Sequence, residues 1–134
     1  MSEIRVPARI FDEMIAHCRR GYPNESCGIL AGKGNKVSAL YPMTNIENSP
    51  VSYLMDPSEQ FKAMKDMREK DLAMVAIFHS HPASAPFPSN KDVSLAYYDD
   101  CDYVIVSLAE DMAVVKGFLI KEARVEEVAI VIED

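Results

Sequence analysis

A chain of 134 residues with 14 Lys and Arg against 21 Asp and Glu carries a formal net charge of −7. With 49% hydrophobic and 26% charged residues it has the make-up of an ordinary folded protein, and the length suits one domain, 1–134. The acidic balance, with no basic run or basic aromatic face, argues against a nucleic-acid partner. No N-terminal stretch has the layout of a signal peptide, and the longest apolar run, Leu72 to Phe78, is far short of a membrane span, so a cytoplasmic protein away from membranes is expected. Cys18, Cys27 and Cys101 form an odd set without a C-x-x-C pair, which predicts reduced, buried thiols and no disulfide framework.

In chain order, Ala8 to Arg20 sets Ile10, Phe11, Met14 and Ile15 at helical spacing, with Gly21 and Pro23 as the stop. Cys27 to Ala31 and Val37 to Tyr41 read as paired strands around Gly32-Lys33-Gly34-Asn35-Lys36, whose glycines and Asn permit the positive φ of a hairpin turn. After the polar stretch Thr44 to Pro50, Ser52 to Met55 reads as another short strand. In Asp56-Pro57-Ser58-Glu59, Asp56 caps a helix, Pro57 fits its first turn and Glu59 reaches back as in a capping box. That helix runs from about Pro57 to Lys70, with Phe61, Met64, Lys65 and Met67 marking its turns. Met74 to Phe78, apolar throughout, predicts a fully buried strand. Pro82, Pro86 and Pro88 stiffen a loop, and helix resumes near Ser89. Asp99, Asp100 and Asp102 read as an acidic turn. Tyr103 to Leu108, Ala113 to Ile120 and Val125 to Ile132 complete the chain as strands.

The chemistry concentrates in His79-Ser80-His81-Pro82, followed by Ser89 and Asp92. Two histidines one residue apart at a strand end project from the same face, because side chains alternate with period two. Asp92 stands in the first turn of the next helix, where the stiff loop can fold it back against the strand end. His79, His81 and Asp92 then make a three-ligand zinc set that leaves a fourth position for water, as a catalytic site requires. Ser89-x-x-Asp92 also reads as a helix cap, and capping and ligation are compatible. A zinc-activated water needs a base, and Glu25, at the start of the first strand, is a candidate general acid/base. Cys27, in an apolar strand start without a separate activating His, reads as core, and His17 as a partly exposed helical residue.

Pro23-x-Glu25-x-Cys27-Gly28, then His79-Ser80-His81-Pro82, then Ser89-x-x-Asp92 resemble the full signature of the JAMM (MPN-plus) zinc metallopeptidases, with no signature position missing. The resemblance extends over most of the chain, including Asn45 to Pro50 leading into Asp56-Pro57, and the short length is similar to compact prokaryotic stand-alone members. It implies an α/β fold: a curved, mixed, largely antiparallel sheet flanked by helices. It also implies Zn2+ held by His79, His81 and Asp92, with Glu25 as general acid/base and Ser89 as a hydrogen-bonding stabiliser of the tetrahedral intermediate. The implied reaction is cleavage after the C-terminal glycine of a ubiquitin-like or sulfur-carrier protein, for instance releasing a C-terminal cysteine or peptide tail. The resemblance leaves a homodimer open.

Two other readings carry different sequence features. A non-catalytic MPN-type interaction or assembly module would have lost ligands, and the intact Glu25, His79, His81, Ser89 and Asp92 speak against it. A DNA-repair-associated bacterial relative would need DNA-binding character, which the acidic charge contradicts.

Overall fold

The computed structural model describes residues 3–98 and 100–134. Its elements run β1 (Glu3–Pro7), α1 (Ala8–Gly21), β2 (Cys27–Lys33), β3 (Lys36–Met43), α2 (Pro57–Glu69), β4 (Ala73–His81), α3 (Asn90–Ser94), β5 (Asp102–Ser107), β6 (Val114–Lys121) and β7 (Arg124–Glu133). The strands are ordered β1-β3-β2-β4-β5-β6-β7, and β7 pairs back onto β1, so the mixed sheet closes on itself. No helix among the described residues is long and apolar enough to cross a membrane.

Local chemistry explains the hairpins. The β2–β3 turn uses only Gly34 in the left-handed region, at φ 61, and nothing crowds its missing side chain. The β6–β7 turn places Glu122 and Ala123 at φ 52 and 63, the double positive φ that matches the twist of a two-residue hairpin.

β4 lies between antiparallel β2 and parallel β5, and its alternating side chains divide the interior. Leu30, Ala76 and Phe78 join a cluster covered by Ile10, Met14 and Cys18 of α1. Cys27, Ile29 and Ile77 join a second cluster with Met43, Met55 and α2 residues Ala63 and Met67. A side chain at Gly28 would stand 2.4 Å from the Phe78 ring and 2.7 Å from the Tyr41 carbonyl, so only glycine admits this approach of β2, β3 and β4.

Several expectations are corrected. The strand at Glu3–Pro7 was not foreseen: its five residues acquire their role by pairing with β7 from Glu3↔Ala129 to Pro7↔Glu133. Ser52 to Met55 is not a strand beyond the single bridge Asn45↔Met55. The Asn45 side chain takes the hydrogen bonds a ladder would use, accepting from Glu47 N at 3.0 Å and Leu54 N at 3.1 Å and donating to Ser52 O at 3.0 Å. Asp56 caps α2 as expected, accepting from Ser58 N and Glu59 N. Glu59 does not complete a capping box; its carboxylate accepts instead from Thr44 N at 2.6 Å and Thr44 Oγ1 at 2.8 Å. Phe61 is 69% exposed and does not mark the buried face of α2. β4 continues through His81, and its start is exposed at Ala73 and half-buried at Met74. Of the expected acidic turn, Asp99 lies outside the described residues, and Asp102 is a buried residue of β5.

Candidate metal centre and active site

Alternation puts His79 and His81 on the face of Cys27 and Ile77, and Ser80 on the opposite face. There Ser80 joins the end of β4 to the start of β2: its Oγ accepts from Ser26 N at 2.8 Å and its N donates to Ser26 O at 2.9 Å. This stitch, with the register Cys27↔His79, brings Glu25 alongside the histidines.

Asp92 arrives from α3. Ser89 is its N-cap and forms a reciprocal capping box with Asp92: Asp92 N donates to Ser89 Oγ at 3.0 Å, and Ser89 N donates to Asp92 Oδ2 at 2.9 Å. The same Oδ2 lies 3.0 Å from His81 Nε2 and 3.2 Å from His79 Nε2, and the two Nε2 atoms are 3.2 Å apart. A cap thus fixes the carboxylate that completes the triangle.

That triangle suits a cation. Four ligands at about 2.0–2.1 Å around tetrahedral zinc stand roughly 3.3–3.4 Å apart, close to the separations present here. His81 Nδ1 is 2.9 Å from the Ala85 carbonyl, which can only accept, so Nδ1 carries the hydrogen, and whenever the ring is neutral its Nε2 lone pair faces inward. Three lone-pair donors facing one point need a cation between them, either a proton or a metal ion. The titration directions agree. Burial keeps His79 neutral by lowering its pKa. Burial also opposes charging His81, but the Asp92 hydrogen bond and the Ala85 carbonyl outweigh it and raise its pKa. For Asp92, burial pushes upward and hydrogen bonding to both histidines overcomes it, holding the carboxyl well below the usual range. The donor set fits a divalent metal ion.

Glu25 is 5% exposed, and its Oε1 has no hydrogen-bond partner among the described residues. Its backbone is nonetheless pinned: Glu25 N donates to Ser49 O at 2.8 Å, and its carbonyl accepts from Asn45 Nδ2 at 2.9 Å. Burial pushes the Glu25 carboxyl up to about 7, so at neutral pH it exchanges a proton at little cost. Cys27 is fully buried with its thiol pushed up to about 12 by burial, which removes it as a nucleophile. His17 is half-buried with Nε2 3.1 Å from the Cys27 carbonyl, a structural contact.

The site opens onto a depression of about 340 Å³ walled by Tyr53, Leu54, Asp92, Leu95, Tyr98 and Tyr103. A separate, more polar depression of about 360 Å³ is lined by Glu25 together with Arg20, Asn24 and Asn48. Two residues shape the site without having been singled out for it from sequence. Asn45 orders the segment that holds Glu25, and Tyr53 stacks on His79 with ring centroids 4.6 Å apart. Asn45 sits in a polar stretch that the family resemblance also covers; nothing local marks Tyr53.

The family of prokaryotic homologs of the JAB domain matches residues 7–118. A CysO-cysteine peptidase of Mycobacterium tuberculosis is 42% identical over 104 residues, covering 76% of this chain and 71% of that protein. A desampylase of Pyrococcus furiosus is 37% identical over 110 residues, covering 81% and 76%. The solution structure of a Desulfitobacterium hafniense protein superposes with a TM-score of 0.89 at 42% identity, covering 98% of this chain and 93% of that one. The matched span contains Glu25, both histidines, Ser89 and Asp92, so sequence, fold and site agree that the chain belongs to the prokaryotic JAB-domain family.

Proposed function

We propose that the protein is a zinc peptidase that cleaves after the C-terminal glycine of a ubiquitin-like or sulfur-carrier protein. The observation that carries this reading is the convergence of His79 Nε2, His81 Nε2 and Asp92 Oδ2 within 3.2 Å of one another, beside a buried Glu25 whose Oε1 has no hydrogen-bond partner among the described residues. Relatives named as a CysO-cysteine peptidase and a desampylase support the substrate class.

His79, His81 and Asp92 would hold zinc, which would supply Lewis acidity to the reacting carbonyl and water. Glu25 accepts the proton of the attacking water and returns it to the leaving amine; a carboxyl near 7 suits both halves of that transfer. Ser89 Oγ accepts from Asp92 N, which leaves the hydroxyl hydrogen free to donate to the carbonyl oxygen as charge develops on it. The tyrosine-walled depression beside Asp92 receives the slim tail of the carrier, and the depression on the Glu25 side receives the leaving group.

Intact-mass spectrometry of a sulfur-carrier protein bearing a C-terminal cysteine, incubated with the zinc-loaded protein and with Glu25→Gln, tests the reading. Loss of the cysteine mass with wild type alone, while both proteins hold one zinc, is the expected result. No cleavage of this substrate or of an isopeptide-linked carrier conjugate by the zinc-loaded wild type would overturn it.

A further inference from the structure

The two histidines are oriented by different means. His81 is keyed by the hydrogen bond from Nδ1 to the Ala85 carbonyl at 2.9 Å. His79 is more deeply buried, at 2% exposure, yet its Nδ1 has no hydrogen-bond partner among the described residues. A metal-bound imidazole ordinarily has its second ring nitrogen tied to a carboxylate, carbonyl or water, which sets the ring plane. His79 is held at Nε2, 3.2 Å from Asp92 Oδ2, and across its ring face by Tyr53, inclined by 23° with its centroid 4.6 Å away.

We propose that Tyr53 is the positioning residue for His79, its ring face holding the imidazole plane so that Nε2 stays aimed at the point shared with His81 and Asp92. Geometry gives the stack leverage. With Nδ1 untied, rotation of the ring about its side-chain bonds would swing Nε2 out of the triangle, and a near-parallel aromatic face resists that tilt. Tyr53 also belongs to the segment that Asn45 ties to the Glu25 carbonyl, between Ser52 O and Leu54 N, both bonded to the Asn45 side chain. One segment therefore orients the base on one side and a metal ligand on the other.

This inference rests on the metal-centre reading, and its test separates the two. Zinc affinity is measured by competition with a chromophoric chelator for wild type, Tyr53→Phe and Tyr53→Leu, with the visible spectrum of the cobalt-substituted proteins as a report on ligand geometry. Leucine keeps apolar bulk without an aromatic face, and circular dichroism of the metal-free proteins confirms folding. Tyr53→Phe is expected within about threefold of wild type, with the same cobalt spectrum. Tyr53→Leu should bind zinc about 10- to 100-fold more weakly, the usual effect of removing a residue that orients a ligand, with an altered spectrum. Wild-type affinity and spectrum in Tyr53→Leu would overturn the inference. Equal weakening in Tyr53→Phe would also overturn it, by assigning the effect to the hydroxyl. A wild-type protein that takes up no zinc would instead remove the metal-centre reading on which the inference stands.

Discussion

Phe78 and His79 are neighbours on β4 and face opposite ways, and the two sides of the sheet they serve are built on different terms. On the α1 side, Ile4, Val6, Ile10, Met14, Leu30, Phe78, Val104 and Val106 form an apolar layer in which no member of the cluster exceeds 3% exposure. On the α2 side, Cys27, Ile29, Ile77 and Ile105 start a similar layer, but its upper end is given over to His79, His81 and Glu25. Two of the three buried side-chain atoms without a partner among the described residues, Glu25 Oε1 and His79 Nδ1, lie at that end. Burying such atoms costs free energy, so the α1 layer stabilises the fold while the α2 side carries that cost at the proposed metal and proton-transfer site.

Substitutions on each side should therefore separate activity from stability. The largest effect expected is on the site side: Glu25→Gln lowers kcat by about 10²–10⁴-fold, the usual worth of a positioned acid/base, while zinc content by metal analysis stays at the wild-type level. Ser89→Ala follows, with kcat down about 10²–10³-fold if its hydroxyl serves the developing oxyanion, but a stability loss of only about 0.5–2 kcal/mol from the missing cap, read in urea titrations. Met14→Ala sharpens the contrast from the other side. It should cost about 2–5 kcal/mol of stability in the same titration and leave kcat of the folded protein within about twofold of wild type.

The smallest effect is a pH signature of the conflict at Glu25. Its carboxyl titrates near 7 when folded against an ordinary 4.5, so the folded state holds this proton more tightly than the unfolded state. Stability from this group is thus highest at low pH, falls as pH rises from about 4.5 through about 7, and is level above. Metal-free Glu25→Gln should melt above metal-free wild type at pH 8, with the difference disappearing by pH 4. A constant difference across that range would show that burial of the charge is not what the wild type sustains.

Legibility from sequence followed the range of the interactions. Period-two alternation set both histidines on one face, and the spacing of Ser89 and Asp92 announced a cap that the structure realises as a full capping box. Where a longer-range partner competed, local rules misled: Glu59 turned from its own helix to Thr44, and the Asn45 side chain replaced a strand ladder at Ser52 to Met55. β1 is a related case. Its five residues form a strand because β7, more than a hundred residues away, offers a parallel edge that closes the sheet.

By itself the sequence determined which donor atoms exist and which of them are neighbours on one strand face or one helical turn, because backbone geometry repeats over two to four residues and imposes that placement on any chain. Tertiary structure alone decided that Glu25 Oε1 is buried with no partner among the described residues, that Asn45 pins the Glu25 backbone, and that Tyr53 lies flat against His79. These depend on how β2, β4 and the segment before α2 come together, and such contacts form only where the whole core's packing brings distant residues within reach.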